Sequence, residues 1–117
     1  MKSLPTLLQI VSTAFLTAGS ALADKNPAED VEGEFHKKIK PLLQDYCYDC
    51  HGDGSDKGDF TLDEFESTSA LLHDQKVWLR IWENLRTEMM PPAKKESQPT
   101  SDERRELVSW IEKQIFK

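Results

Sequence analysis

Residues Tyr46–Gly58 read YCYDCHGDGSDKG. Two cysteines stand three positions apart, a histidine follows the second directly, and a glycine-rich acidic run comes after it. Four chemistries use parts of this pattern: a structural zinc knot, a redox dithiol, a calcium loop, and the covalent anchor of a haem. Each makes different demands on the rest of the chain.

Upstream, Met1 and Lys2 precede a mostly apolar run from Leu4 to Ala18, and Ala21-Leu22-Ala23 places small residues before Asp24. These are the n-region, h-region and cleavage site of a secretory signal, and the run is shorter than the roughly 20 apolar residues that span a lipid core. Residues 1–23 are therefore expected to be a signal peptide cleaved after Ala23. The mature protein would be periplasmic or otherwise exported, with no stable membrane insertion. Cleavage leaves roughly 94 residues, one small domain whose modest core benefits from a disulfide, metal or cofactor. Both cysteines of the chain lie in the opening motif, so no long-range disulfide is available. The whole chain carries a net charge of −6, and losing Lys2 with the signal takes it to about −7. That balance argues against nucleic acid or anionic lipid as a partner and permits attraction to a basic one.

Asp24 to Asp30 is polar, contains Pro27, and begins a flexible leader over 24–33. Phe35, Ile39, Leu42, Leu43 and Tyr46 then share one helical face running up to Cys47, with Pro41 kinking or restarting it. Glycines at 52, 54 and 58 exclude regular structure from the acidic loop. One or two helical turns are expected from Ser67 to Leu72. A stronger helix follows Asp74, with Val77, Trp78, Ile81, Trp82 and Leu85 at spacings of three and four. It must stop before MMPP, since a residue preceding proline is pushed out of the α region. Thr100 and Glu103 form a capping box for a closing helix whose apolar face includes Leu107, Trp110 and Ile111. No stretch alternates with period two for long, so the fold class is all-α, with about three main helices and long loops.

Cys-x-x-Cys-His is the attachment signature of c-type haem. Two thiols one helical turn apart can each add to a vinyl group on one porphyrin edge, and the adjacent imidazole then lies beneath the iron as proximal ligand. A zinc knot would need a fourth ligand, and only His36 and His73 remain outside the motif. A thioredoxin-like dithiol sits at a strand-to-helix junction, and strands are missing. Residues 53–64 can be laid on an EF-hand loop, yet its fifth position is Lys57, a positive charge where an oxygen ligand belongs. A solvated acidic loop is the better reading of that run.

A haem iron also takes a sixth ligand. Met90 lies 39 residues after His51, between two helices and ahead of Pro91 and Pro92, where a soft thioether on a stiff loop can reach the iron. The site residues are thus Cys47 and Cys50 for the thioethers, with His51 and Met90 as axial ligands of one covalent haem c. Met89, which no proline follows, is the weaker candidate. His36 and His73 read as surface residues. Trp78, Trp82 and Trp110 read as core and as walls of the haem pocket, and Arg80 and Arg86 as solvated side chains within reach of propionates.

The order IKPLLQDYCYDCHGDG, KGDFTLDEF, VWLRIWENLRTEMMPP and LVSWIEK resembles the Planctomycete-type cytochrome c domain, a relative of class I cytochromes c, over nearly all of residues 34–117. The resemblance implies a cytochrome c-like domain over 34–117 wrapped around its haem, with His51 and Met90 as axial ligands. Class I relatives place a proline soon after the attachment motif, next to the carbonyl that orients the proximal imidazole. None occurs here between His51 and Met90, so a backbone carbonyl near Gly58 is expected in that role. Family members are often modules of larger secreted proteins. This chain ends at Lys117, which leads to the expectation of a separate redox protein partner with a basic docking face. The function expected is single-electron transfer rather than enzymatic turnover. A haem-based sensor or weak peroxidase with a displaceable Met90 is the alternative, and a calcium- or zinc-binding interaction module is a remote one.

Overall fold

The computed structural model describes residues 26–117, with Ser3 and Gly19 before them. The expected signal peptide, its cleavage after Ala23 and the first residues of the leader lie outside the described residues. The elements are α1 (Pro27–Glu34), a π turn (Phe35–Ile39), α2 (Lys40–Tyr46), α3 (Tyr48–His51), α4 (Thr68–His73), α5 (Gln75–Arg86) and α6 (Ser101–Ile115). Among the described residues there is no strand, as the all-α reading expects.

The leader expected over 24–33 is a helix from Pro27 onward. Asn26 caps it by accepting a hydrogen bond from the Ala28 N–H at 3.2 Å, Pro27 occupies its first turn, and Glu29 and Asp30 complement the positive end of its dipole. None of its residues is fully buried, so burial alone would not hold it. What ties it down is Glu32, whose carboxylate accepts from the Thr68 backbone at 2.9 Å and the Thr68 hydroxyl at 2.6 Å, at the start of α4.

Phe35–Ile39 passes through a π turn before α2 restarts the helix with Pro41 in its first turn. Proline has no N–H to donate one turn back, so the ladder must re-form around it. Here the Lys40 N–H reaches back to the Phe35 carbonyl. The detour keeps Phe35, Ile39 and Leu43 on one side, all fully buried, against Trp78 of α5 and Leu107 and Trp110 of α6.

Trp78 and Trp110 are therefore core, 0 % and 2 % exposed, and pack on Phe65 and Phe35. Trp82 lies on the seam between α5 and α6: its indole N–H donates to Glu112 at 3.1 Å and the Arg86 guanidinium covers its ring at 4.6 Å. None of the three lines the cavity that holds the motif residues, which corrects their reading as pocket walls. Arg86, stacked on Trp82, is likewise occupied away from it.

Asp74 stands at the N-cap position of α5, but its side chain makes no capping bond. The box at α6 is complete: Glu103 N–H donates to the Thr100 hydroxyl at 3.2 Å, and Thr100 N–H donates to the Glu103 carboxylate at 2.7 Å. The same carboxylate accepts from the Tyr46 hydroxyl at 2.9 Å, fastening α6 to the end of α2.

These bonds set a pH dependence. The Thr100 N–H, then the Tyr46 and Thr100 hydroxyls, hold the Glu103 carboxyl below its ordinary value of 4.5. The Thr68 hydroxyl and N–H do the same for Glu32, also from 4.5. A carboxyl with a lowered folded value stabilises the fold above its unfolded value and loses that contribution as pH falls through the folded one. Stability is therefore expected to decline below about pH 4.5, and Glu103→Gln to show a shallower decline than the wild type over that range. Denaturant unfolding at stepped pH measures both slopes, and equal slopes would contradict the assignment.

Candidate functional site

Helix α2 runs directly into the motif. The Cys47 N–H donates to the Leu43 carbonyl at 2.9 Å, and the Cys47 carbonyl accepts from Cys50 at 3.2 Å and His51 at 2.9 Å, which starts α3. One short helix thus sets Cys47 and Cys50 a turn apart and ends on His51. Gly52 follows in an extended conformation, where the constraint is space: a Cβ would lie 2.9 Å from Cγ of the Tyr48 ring.

The acidic loop then folds back on the motif. Lys57 N–H donates to the Cys50 carbonyl at 3.0 Å, Leu62 N–H donates to the His51 carbonyl, and Asp53 N–H donates to the Asp63 carboxylate at 2.9 Å. This return lays Phe60 on the His51 imidazole, with ring centroids 4.4 Å apart and planes within 17°. Gly58 makes the approach possible: its φ is +81°, and a Cβ there would come within 3.3 Å of Phe60.

Stacking, rather than a hydrogen bond, orients the ring, because Nδ1 of His51 is buried without a partner. Burial also holds the imidazole below its ordinary 6.5, outweighing the Lys57 backbone, which favours the protonated form. A neutral imidazole keeps the lone pair that a metal needs. The orienting carbonyl expected near Gly58 is therefore not found: the Lys57 backbone lies near the ring, but Nδ1 makes no hydrogen bond and Phe60 takes the orienting role.

Cys47 and Cys50 are free thiols. Burial pushes Cys47 up to about 11, against smaller opposite effects from the Lys95 and Arg104 charges. A redox dithiol needs a thiol shifted the other way, toward the thiolate. Among the described residues no three His, Cys, Asp or Glu side chains gather as they would around a metal ion, in the acidic loop or elsewhere.

Met90 comes from the loop after α5. The Met89 and Met90 N–H groups both donate to the Asn84 carbonyl, at 2.9 and 3.2 Å, and the turn between is made by Glu88 at φ +59°. Met90, Pro91 and Pro92 share one cavity of about 220 Å³ with Cys47, Cys50 and His51. Phe60, Leu62, Val77 and Ile81 supply apolar wall, with Arg80 and Lys95 as its cationic residues. Met89 is 65 % exposed and does not line the cavity. His36 and His73 are exposed and lie outside it, His36 bonded to Glu32 at 3.0 Å.

The four residues expected from the motifs are therefore brought together. Phe60, Asn84 and Lys95 escape sequence reasoning, since each acts through a fold-back that no local spacing encodes. Lys95 is the most consequential: its ammonium donates to the Tyr46 carbonyl at 3.1 Å and pairs with Asp49 at 3.3 Å, joining the methionine loop to the cysteine helix. Two free thiols a turn apart, a half-buried neutral imidazole and a thioether from a separate loop, on one apolar cavity, fit a covalently attached haem. Zinc, calcium or dithiol chemistry would leave part of that set unused.

Residues 47–94 match a family model described as Planctomycete cytochrome C. No curated protein and no solved structure matches the chain. The matched stretch begins on the first thiol and ends two residues after Pro92, so it contains both cysteines, His51 and Met90. From that thiol through the methionine loop, the chain is similar to Planctomycete-type cytochromes c.

Proposed function

We propose that this is an exported monohaem c-type cytochrome that carries single electrons, with Cys47 and Cys50 as thioether anchors and His51 and Met90 as axial ligands. The observation that carries the reading is the convergence of these four side chains on one apolar cavity. The haem supplies a reversible one-electron change at its iron. The chain does the rest: Phe60 holds the His51 ring in orientation, Met90 offers a soft ligand that favours the reduced state, and the apolar walls limit water around both. Export follows from the signal-like start of the sequence and agrees with the usual location of cytochrome c domains. No helix among the described residues is long and apolar enough to cross a membrane.

The partner we propose presents a basic face. Asp49, Asp53, Asp56 and Asp59 are all exposed around the attachment motif, where a docking protein would approach the cofactor edge. Asp49 remains largely exposed even in its pair with Lys95.

Two measurements test this reading. Met90→Leu should remove the thioether-to-iron charge-transfer band in the far-red and lower the reduction potential substantially, whereas Met89→Leu should leave both nearly unchanged. The reverse pattern would move the ligand to Met89, and no change in either would remove methionine from the iron. Stopped-flow electron transfer to the isolated partner should slow as salt shortens the Debye length from roughly 30 Å at 0.01 M to 8 Å at 0.15 M. A rate indifferent to salt, or rising with it, would rule out steering by the acidic face.

A further inference from the structure

The first turn of α6 reaches both ligand-bearing segments through two neighbouring residues. Glu103 accepts from the hydroxyl of Tyr46, the residue before Cys47, at 2.9 Å. Arg104 turns to the other segment: its Nη1 donates to the Met90 carbonyl at 2.7 Å and to the Leu85 carbonyl at 3.1 Å, and its Nη2 to Oε1 of Gln98 at 3.4 Å. Gln98 in turn donates through Nε2 to the Pro92 carbonyl at 2.9 Å and the Lys95 carbonyl at 3.0 Å.

This network stands where a backbone ladder is impossible. Pro91 and Pro92 have no N–H to donate, so beyond the Lys95 N–H on the Pro92 carbonyl at 2.9 Å the carbonyls of this stretch are bound by side chains, Met90 by Arg104 and Pro92 by Gln98. A guanidinium suits the task because its planar fork bonds two carbonyls at once with charge-assisted strength. Arg104 makes no ion pair among the described residues, so no carboxylate competes for those donors. By joining the end of α5 at Leu85 to the backbone of Met90, it fixes the point from which the flexible methionine side chain extends.

We propose that Arg104 is the positioning residue for Met90, and that its grip on the Met90 and Leu85 carbonyls sets how readily the thioether leaves the iron. The inference rests on Met90 being the sixth ligand. It bears on the choice between a closed electron carrier and a cytochrome whose sixth position opens to small molecules. With Arg104 in place the loop is held and the position closed; without it the Met-off state becomes populated and an external ligand binds more readily.

The test is an imidazole titration of the ferric, haem-loaded protein, followed in the Soret region and by the far-red thioether band. Arg104→Met keeps an aliphatic stem and removes every donor, and it should bind imidazole roughly tenfold more tightly, equivalent to about 1.4 kcal/mol, with a weakened far-red band. Arg104→Lys, which can reach one carbonyl but not both, should fall between that variant and the wild type. Arg105→Met, altering an exposed neighbour paired only with Asp102, should match the wild type. Met90→Leu gives the affinity of the fully open position. Denaturant unfolding of each variant separates positioning from plain stability: a lowered midpoint with unchanged imidazole affinity and far-red band in Arg104→Met would overturn the proposal. Should Arg104→Met fail to fold, unchanged affinity in Arg104→Lys would overturn it equally. A wild type that already binds imidazole as tightly as Met90→Leu would show that Met90 is not the ligand, and the inference would fall with that reading. Wild-type ligation with an indifferent Arg104 would refute the inference alone.

Discussion

In so small a domain, apolar side chains that face a cavity are withdrawn from a core that has few to spare. Leu62 and Leu85 are almost fully buried, yet they share their surfaces between the core and the cavity, and Phe60, Val77 and Ile81 sit beside them. A small fold gains its stability chiefly from apolar burial, and its margin over chain entropy is narrow. An apolar wall arranged around two thiols, an imidazole and a thioether therefore makes physical sense as a surface built to be covered. The covalent anchorage expected at Cys47 and Cys50 would make the covering group a permanent part of the core, which is a direct way for a domain of this size to be secured.

Everything else in the fold serves the alignment of two segments far apart in sequence. Helix α2 hands its ladder on to Cys47, and the acidic loop folds back to stack Phe60 on His51. The methionine loop, interrupted by two prolines, is held by Arg104 of α6 and by its own Gln98 on one side, and by Lys95 reaching to Tyr46 on the other. Helix α6 thus belongs to the site although it contributes no ligand. Its capping box does two jobs, since the Glu103 carboxylate that closes it also accepts from Tyr46.

Features encoded by local spacing could be read from the sequence alone: the Cys-x-x-Cys-His motif, the apolar face of α5, the Thr100–Glu103 box, and the methionine ahead of Pro91. Features set by distant contacts could not. The segment after Asn26 looks like a polar leader because nothing in its composition reveals that Glu32 will bond Thr68. Three tryptophans near a cofactor motif invite placement around the cofactor, but packing on Phe35, Phe65 and the α5–α6 seam claims them first. Phe60 and Arg104 have ordinary spacings, and only the folded chain reveals that one orients the imidazole and the other grips the methionine backbone.

The central claim is that Cys47 and Cys50 are the attachment points of a haem, and peptide mass mapping of protein produced with haem-maturation machinery tests it most directly. After proteolysis, the peptide containing both cysteines should carry the mass of one haem, and its thiols should be closed to alkylation. Recovery of that peptide at its unmodified mass, with both thiols freely alkylated, would contradict the account.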